Sequence, residues 1–141
     1  MASAIVSERK DKRIETTGDL KQVLETFIPK ARSHKVLAQV FQAIRIEVNQ
    51  EIDVLKEFLM QIPEILETEG RLSVIAYHSL EDRLVKRFIR NGLFEGEPER
   101  DVFGNIEVPM KKVGKLIVPG ADELNRNNRA RSAKLRIATL S

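Results

Sequence analysis

The sequence predicts an α/β fold in which helices come first and a short sheet comes last. Three observations predict it. The first half repeats apolar residues every three or four positions, as helices with one buried stripe do. The run "RLSVIAY", Arg71 to Tyr77, is short, apolar and partly β-branched, and a strongly amphipathic basic stretch follows it. The last third holds two further β-like stretches punctuated by proline and glycine.

Taken in order, residues 2–9 open with a helical pattern. Thr16 or Thr17 then stands as an N-cap ahead of Leu20, Val23, Leu24, Phe27 and Ile28, and Pro29 closes that helix. From Val36 to Leu66 apolar residues step by three or four, which predicts one long helix or two in series. Pro63 should kink it or begin a short last turn, and Glu69-Gly70 should end it. Residues 71–77 read as a buried strand of a parallel sheet, where polar and apolar residues need not alternate. The next helix runs from Leu80 to Arg90, with Leu84, Val85, Phe88 and Ile89 as its apolar stripe and Asn91-Gly92 as its stop. Residues 107–118 predict one or two short strands broken at Pro109 and Gly114. A helical turn over residues 121–125 and a last strand within residues 131–140 complete the pattern.

The 141 residues suffice for one domain with a modest core, and 42% hydrophobic with 32% charged residues marks a soluble, globular chain. The absence of cysteine excludes disulfides and thiolate chemistry, and two histidines are too few for a histidine-rich zinc site. No apolar run approaches the roughly 20 residues of a membrane span, and the N-terminus shows no signal-peptide pattern, so a cytoplasmic location without membrane partners is expected. The net charge of +3 permits an anionic partner.

Two motifs carry chemistry. In "HSLED", Ser79 and Asp82 fit a capping box, with the hydroxyl accepting the Asp82 N–H and the carboxylate reaching back. That explains both residues structurally and leaves His78 unexplained, at the end of a strand where open α/β sheets bind ligands. A buried structural histidine and a functional one both fit. The second motif is the basic C-terminal region. From Lys111 onward eight cations face two anions, Asp122 and Glu123, so positive charge is concentrated there. It suits either a phosphate backbone or a solvated face, and few aromatics accompany it for base stacking. No G-x-G turn and no P-loop occurs, so the usual nucleotide grip is missing.

Three stretches, "VFQAIRIEVNQEIDVLKEFL", "GRLSVIAYHSLEDRLVKRFIR" and "NNRARSAKLRIA", resemble, in the same order, the C-terminal part of the ribosomal small-subunit RNA (cytosine-N4)-methyltransferase family, RsmH or MraW. The family's Ser-Phe, Pro-Ser and Asn-Pro are here Ala76-Tyr77, Pro119-Gly120 and Asn127-Asn128. The resemblance implies the C-terminal half of a Rossmann-like class I methyltransferase sheet, about three strands, plus part of an inserted helical subdomain. Residues 1–41 would belong to that subdomain and residues 42–141 to the core. It further implies transfer of a methyl group from S-adenosylmethionine to the N4 of a cytidine in small-subunit rRNA. The cofactor-binding half lies outside this sequence, so the chain alone is expected to bind no cofactor and to be inactive. His78 and Glu81 are the implied catalytic contacts, and Arg129, Arg131, Lys134 and Arg136 the implied RNA contacts. The missing half should leave the strand at 71–77 with an open edge, for which a homodimer is the expected cover. The alternatives are a non-catalytic RNA-binding module and a dimerisation module.

Overall fold

The computed structural model describes residues 1–141, which fall into two compact units, Met1–Glu51 and Ile52–Ser141. The first is helical: α1 (Ala2–Asp11), α2 (Thr17–Glu25), a 3-10 turn (Lys30–Arg32) and α3 (Ser33–Val48). Of the two candidate caps, Thr17 is the first helical residue of α2 and Thr16 is its cap. Its hydroxyl accepts the Asp19 N–H at 3.1 Å, and the Asp19 carboxylate accepts the Thr16 N–H at 2.9 Å. Leu20 and Leu24 of α2 pack with Ile28 and with Leu37 of α3, so the spacing read from sequence is the buried stripe. The periodic stretch after residue 36 is two helices. Gln50, at φ +51, breaks the path in a left-handed turn, and α4 (Glu51–Ile65) follows.

In the second unit α4 runs through Pro63 and stops at Ile65, earlier than Glu69-Gly70 suggested. Pro63 stands near the C-terminal end, where α4 has only two more residues to run. Then come β1 (Arg71–Ala76), α5 (Ser79–Asn91), β2 (Met110–Ile117), α6 (Ala121–Arg126), a 3-10 turn (Asn128–Ser132) and β3 (Lys134–Leu140). The residues from Arg131 to Ala133, expected to open the last strand, lie in or just after the 3-10 turn instead. Gly92 ends α5 at φ 69, and a Cβ there would sit 2.9 Å from the Pro109 ring.

The sheet order is β1-β3-β2, and both pairings are antiparallel. This revises the parallel reading of β1, whose neighbour within the chain is β3 alone. Its burial also differs from expectation. Leu72 and Ala76 are buried, but Ile75 on the opposite face is 57% exposed. An apolar composition cannot by itself tell a strand covered on both faces from one covered on a single face. The register explains the rest. Leu72 lies opposite Ala138, and Lys112 opposite Ala138 from the other side, so these share the inner face. Ile75, Leu135 and Ile117 share the outer face, with Ser73, Ile137 and Val113 in the next row. The inner face carries the core: Leu59 and Ile62 of α4, Leu72, Val85, Phe88 and Ile89 of α5, Met110 and Ala138. Phe88 stacks on Phe94 with ring centroids 5.2 Å apart. Each large side chain buried there contributes about 1.5–3 kcal/mol. In β2 the register slips between Val113 and Ile117, and Gly114 takes φ 66 in that bulge.

Candidate functional site

The strand-to-helix junction after β1 is where titratable side chains gather. Tyr77 leaves the strand, His78 takes extended angles (φ −137, ψ 163) and α5 begins at Ser79. The expected capping box is therefore displaced by one residue. His78 is the N-cap and makes no side-chain cap bond, and the Asp82 N–H bonds the His78 carbonyl, not the Ser79 hydroxyl. Glu81 performs the backward reach, its Oε2 accepting the Tyr77 N–H at 3.1 Å. The other oxygen of Glu81 lies 2.9 Å from His78 Nε2. That contact lacks hydrogen-bond geometry, and both ring nitrogens are buried without a hydrogen-bond partner. So the two residues marked as catalytic contacts do meet. The His78 side chain is 16% exposed and the Glu81 side chain 27%.

Asp82 does something else. It is 8% exposed and faces β3. Arg136 Nε donates to its Oδ1 at 2.7 Å and Nη2 to its Oδ2 at 3.2 Å, while Lys134 Nζ donates to Oδ2 at 3.2 Å. Burial pushes the Asp82 carboxyl pKa up, but the hydrogen bonds and charges of Arg136 and Lys134 outweigh burial and hold it below the usual carboxylate range. Charge-assisted bonds of this kind exceed a neutral cap bond in strength, which is why Asp82 serves β3 and Glu81 serves the helix start.

The four expected RNA contacts thus divide. Lys134 and Arg136 are joined to Asp82, whereas Arg129 and Arg131 stand exposed on the 3-10 turn before β3. The sequence did carry a signal for the Asp82 cluster. Asp82, Val85 and Ile89 follow helical spacing on the buried stripe of α5, and Lys134, Arg136 and Ala138 alternate onto the inner face of β3. A carboxylate on an apolar stripe opposite two cations at i and i+2 of a strand is a buried ion cluster in the making.

A family model for the MraW methylases matches residues 1–141. The ribosomal RNA small subunit methyltransferase H of Flavobacterium psychrophilum is 64% identical over 138 residues, which cover 98% of this chain and 47% of that protein. The protein of the same name from Christiangramia forsetii is also 64% identical, over 98% of this chain and 46% of its own length. That from Bacteroides fragilis strain YCH46 is 51% identical over 139 residues, again 98% and 46%. The chain spans slightly less than half the length of these curated relatives.

Proposed function

The chain belongs to the MraW methylase family, and on that premise we propose that it supplies the C-terminal part of an S-adenosylmethionine-dependent methyltransferase acting on the N4 of a cytidine in small-subunit rRNA. The observation that carries this reading is the His78–Glu81 pair at the carboxyl end of β1, the place where α/β sheets present ligands. The N4 lone pair of cytosine is delocalised into the ring. The enzyme must fix that nitrogen in line with the methyl donor and accept a proton as the new bond forms. His78, with two unbonded ring nitrogens, and Glu81, held by the Tyr77 N–H, are the polar groups this chain places at the junction.

The cofactor does not fit the residues of this chain alone. Tyr77-His78 joins β1 to α5 and Val118-Pro119-Gly120 joins β2 to α6, and neither junction has the G-x-G turn that lets a ligand approach the backbone. The cofactor site therefore falls to the half outside this sequence, and no step here is routed through it. Residues 1–41 would be part of an inserted helical subdomain and residues 42–141 part of the catalytic core. No helix is long and apolar enough to cross a membrane.

Methylation of small-subunit rRNA by the full-length protein with His78→Ala tests the reading. We expect activity to fall at least about a hundredfold, the lower range for a lost general base. Unchanged activity removes His78 from the site. Calorimetric titration of the 141-residue chain with S-adenosylmethionine should show no binding.

A second reading has its own observation. β1 pairs on one side only and exposes Ile75, so its free edge and outer face are open to a partner strand. In the intact protein the missing half would cover them; in the isolated chain a second copy would. Sedimentation of the chain at high concentration is expected to show a dimer, and a monomer there overturns the edge pairing.

A further inference from the structure

Away from the His78 junction, five cations from three elements converge. Lys86 and Arg90 of α5, Lys112 and Lys115 of β2 and Arg136 of β3 line a groove of about 190 Å³. Its remaining lining is apolar, from Ile89, Val113, Leu116 and Ile137, and no carboxylate takes part. Lys86, Arg90, Lys112 and Lys115 are exposed and form no salt bridge. On α5, Lys86 and Arg90 stand one turn apart, about 6 Å along the axis, with Arg83 and Arg87 on the same stretch of helix.

We infer that this groove binds the sugar–phosphate backbone of an RNA strand. The inference rests on the rRNA methyltransferase reading and names where that substrate lies on this half of the protein. Cations set around an apolar trough, all but Arg136 free of a salt bridge, match phosphates at the rim and ribose carbons on the walls. No aromatic side chain lines the groove, so it offers no stacking platform for bases and the binding is tolerant of sequence. The lysines of β2 also sit on a sheet edge, where lysine discourages edge-to-edge association. That role does not account for Lys86 and Arg90, which lie on the helix. The groove begins roughly 10 Å along α5 from Ser79, at 1.5 Å per residue, so a strand held there passes within a few nucleotides of the junction at His78.

The test measures the affinity of the 141-residue chain for a short unstructured single-stranded RNA across a salt series. The variants are Lys112→Glu/Lys115→Glu and, as comparison, Arg129→Glu/Arg131→Glu. Lys112→Glu/Lys115→Glu replaces two exposed side chains and keeps the sheet edge charged, and its melting curve should match the parent. We expect affinity at low salt to fall at least tenfold, and the slope of log K against log[salt] to shrink by about 1.4, the release expected for two single-strand phosphates. Arg129→Glu/Arg131→Glu should change affinity less than threefold. Three results overturn the inference: unchanged RNA affinity in the lysine variant, a larger effect from the arginine variant, or a chain that prefers poly-glutamate to RNA. Methyl transfer by the full-length enzyme carrying the lysine variant separates the two claims. If affinity is unchanged but methylation by the parent enzyme stands, the groove is wrong and the methyltransferase reading survives.

Discussion

Two groups of cations lie side by side in the second unit, and they behave oppositely. Lys134 and Arg136 enclose the buried carboxylate of Asp82. Lys86, Lys112 and Lys115 form no salt bridge, although Glu97 lines a neighbouring hollow with Lys86. The residue types are the same, and in sequence Lys112, Lys115, Lys134 and Arg136 read as one basic region. What separates them is the element each occupies and how far water reaches it. Lys134 and Arg136 alternate onto the inner face of β3, opposite the apolar stripe of α5, where an unpaired charge would be costly. Lys112 and Lys115 sit on an edge strand open to water, where charge costs nothing and needs no partner. Arg136 belongs to both groups, since it bonds Asp82 and also lines the groove, so the fixed cluster holds one wall of the free one in place.

The contrast predicts a descending series of effects. Asp82→Ala should be the most damaging, lowering stability by about 3 kcal/mol in denaturant titration, because it leaves two cations against a buried stripe without a counter-charge. A loss under about 0.5 kcal/mol would place Asp82 among ordinary surface carboxylates. Gly92→Ala comes next, at about 1–2 kcal/mol, since alanine must take the left-handed conformation there and its Cβ meets Pro109. The pH dependence sharpens the comparison further. The Asp82 pKa is lowered in the folded state, so its contribution is full above the unfolded carboxylate range and is lost as pH falls through the folded value. Below about pH 4, parent stability should therefore drop more steeply than that of Asp82→Asn, followed by thermal melts across the acid range. Smallest of all, Lys112→Ala and Lys115→Ala should each shift stability by under about 0.5 kcal/mol, as exposed unpaired charges do.

The helices of both units were legible because their buried stripes follow one period. Leu20, Leu24 and Leu37, and likewise Val85, Phe88 and Ile89, are core residues at the positions their spacing marks. Caps that depend only on neighbouring residues, Thr16 or Thr17 before α2 and Gly92 after α5, were legible for the same reason, although the reciprocal bond from Asp19 was not read. Pairing across the chain was not. Nothing local in "RLSVIAY" says that its partner lies at residues 134–139 or that the two run antiparallel. The capping frame at His78 was missed because a residue more than 50 positions away claims Asp82, and a local motif cannot register that competition. At the candidate site, His78 and Glu81 were found by their place after a strand, while the cationic groove needs α5, β2 and β3 assembled before it exists.

The strand at the centre of the sheet comes last of the three in the chain. β1 and β2 bond to β3 and not to each other, so as the polypeptide is made, both outer strands emerge before the one that joins them. Synthesis at 5–20 residues per second leaves β1 waiting roughly 3–12 s with its hydrogen-bonding groups open, since close to 60 residues separate it from β3. Until then α5 has α4 and the two outer strands but not the strand that joins them, and Asp82 lacks Lys134 and Arg136. The nascent chain is therefore most exposed to mispairing and to proteases just before β3 emerges. A substitution that weakens β3 should lower the yield of folded protein more than its effect on the finished molecule suggests.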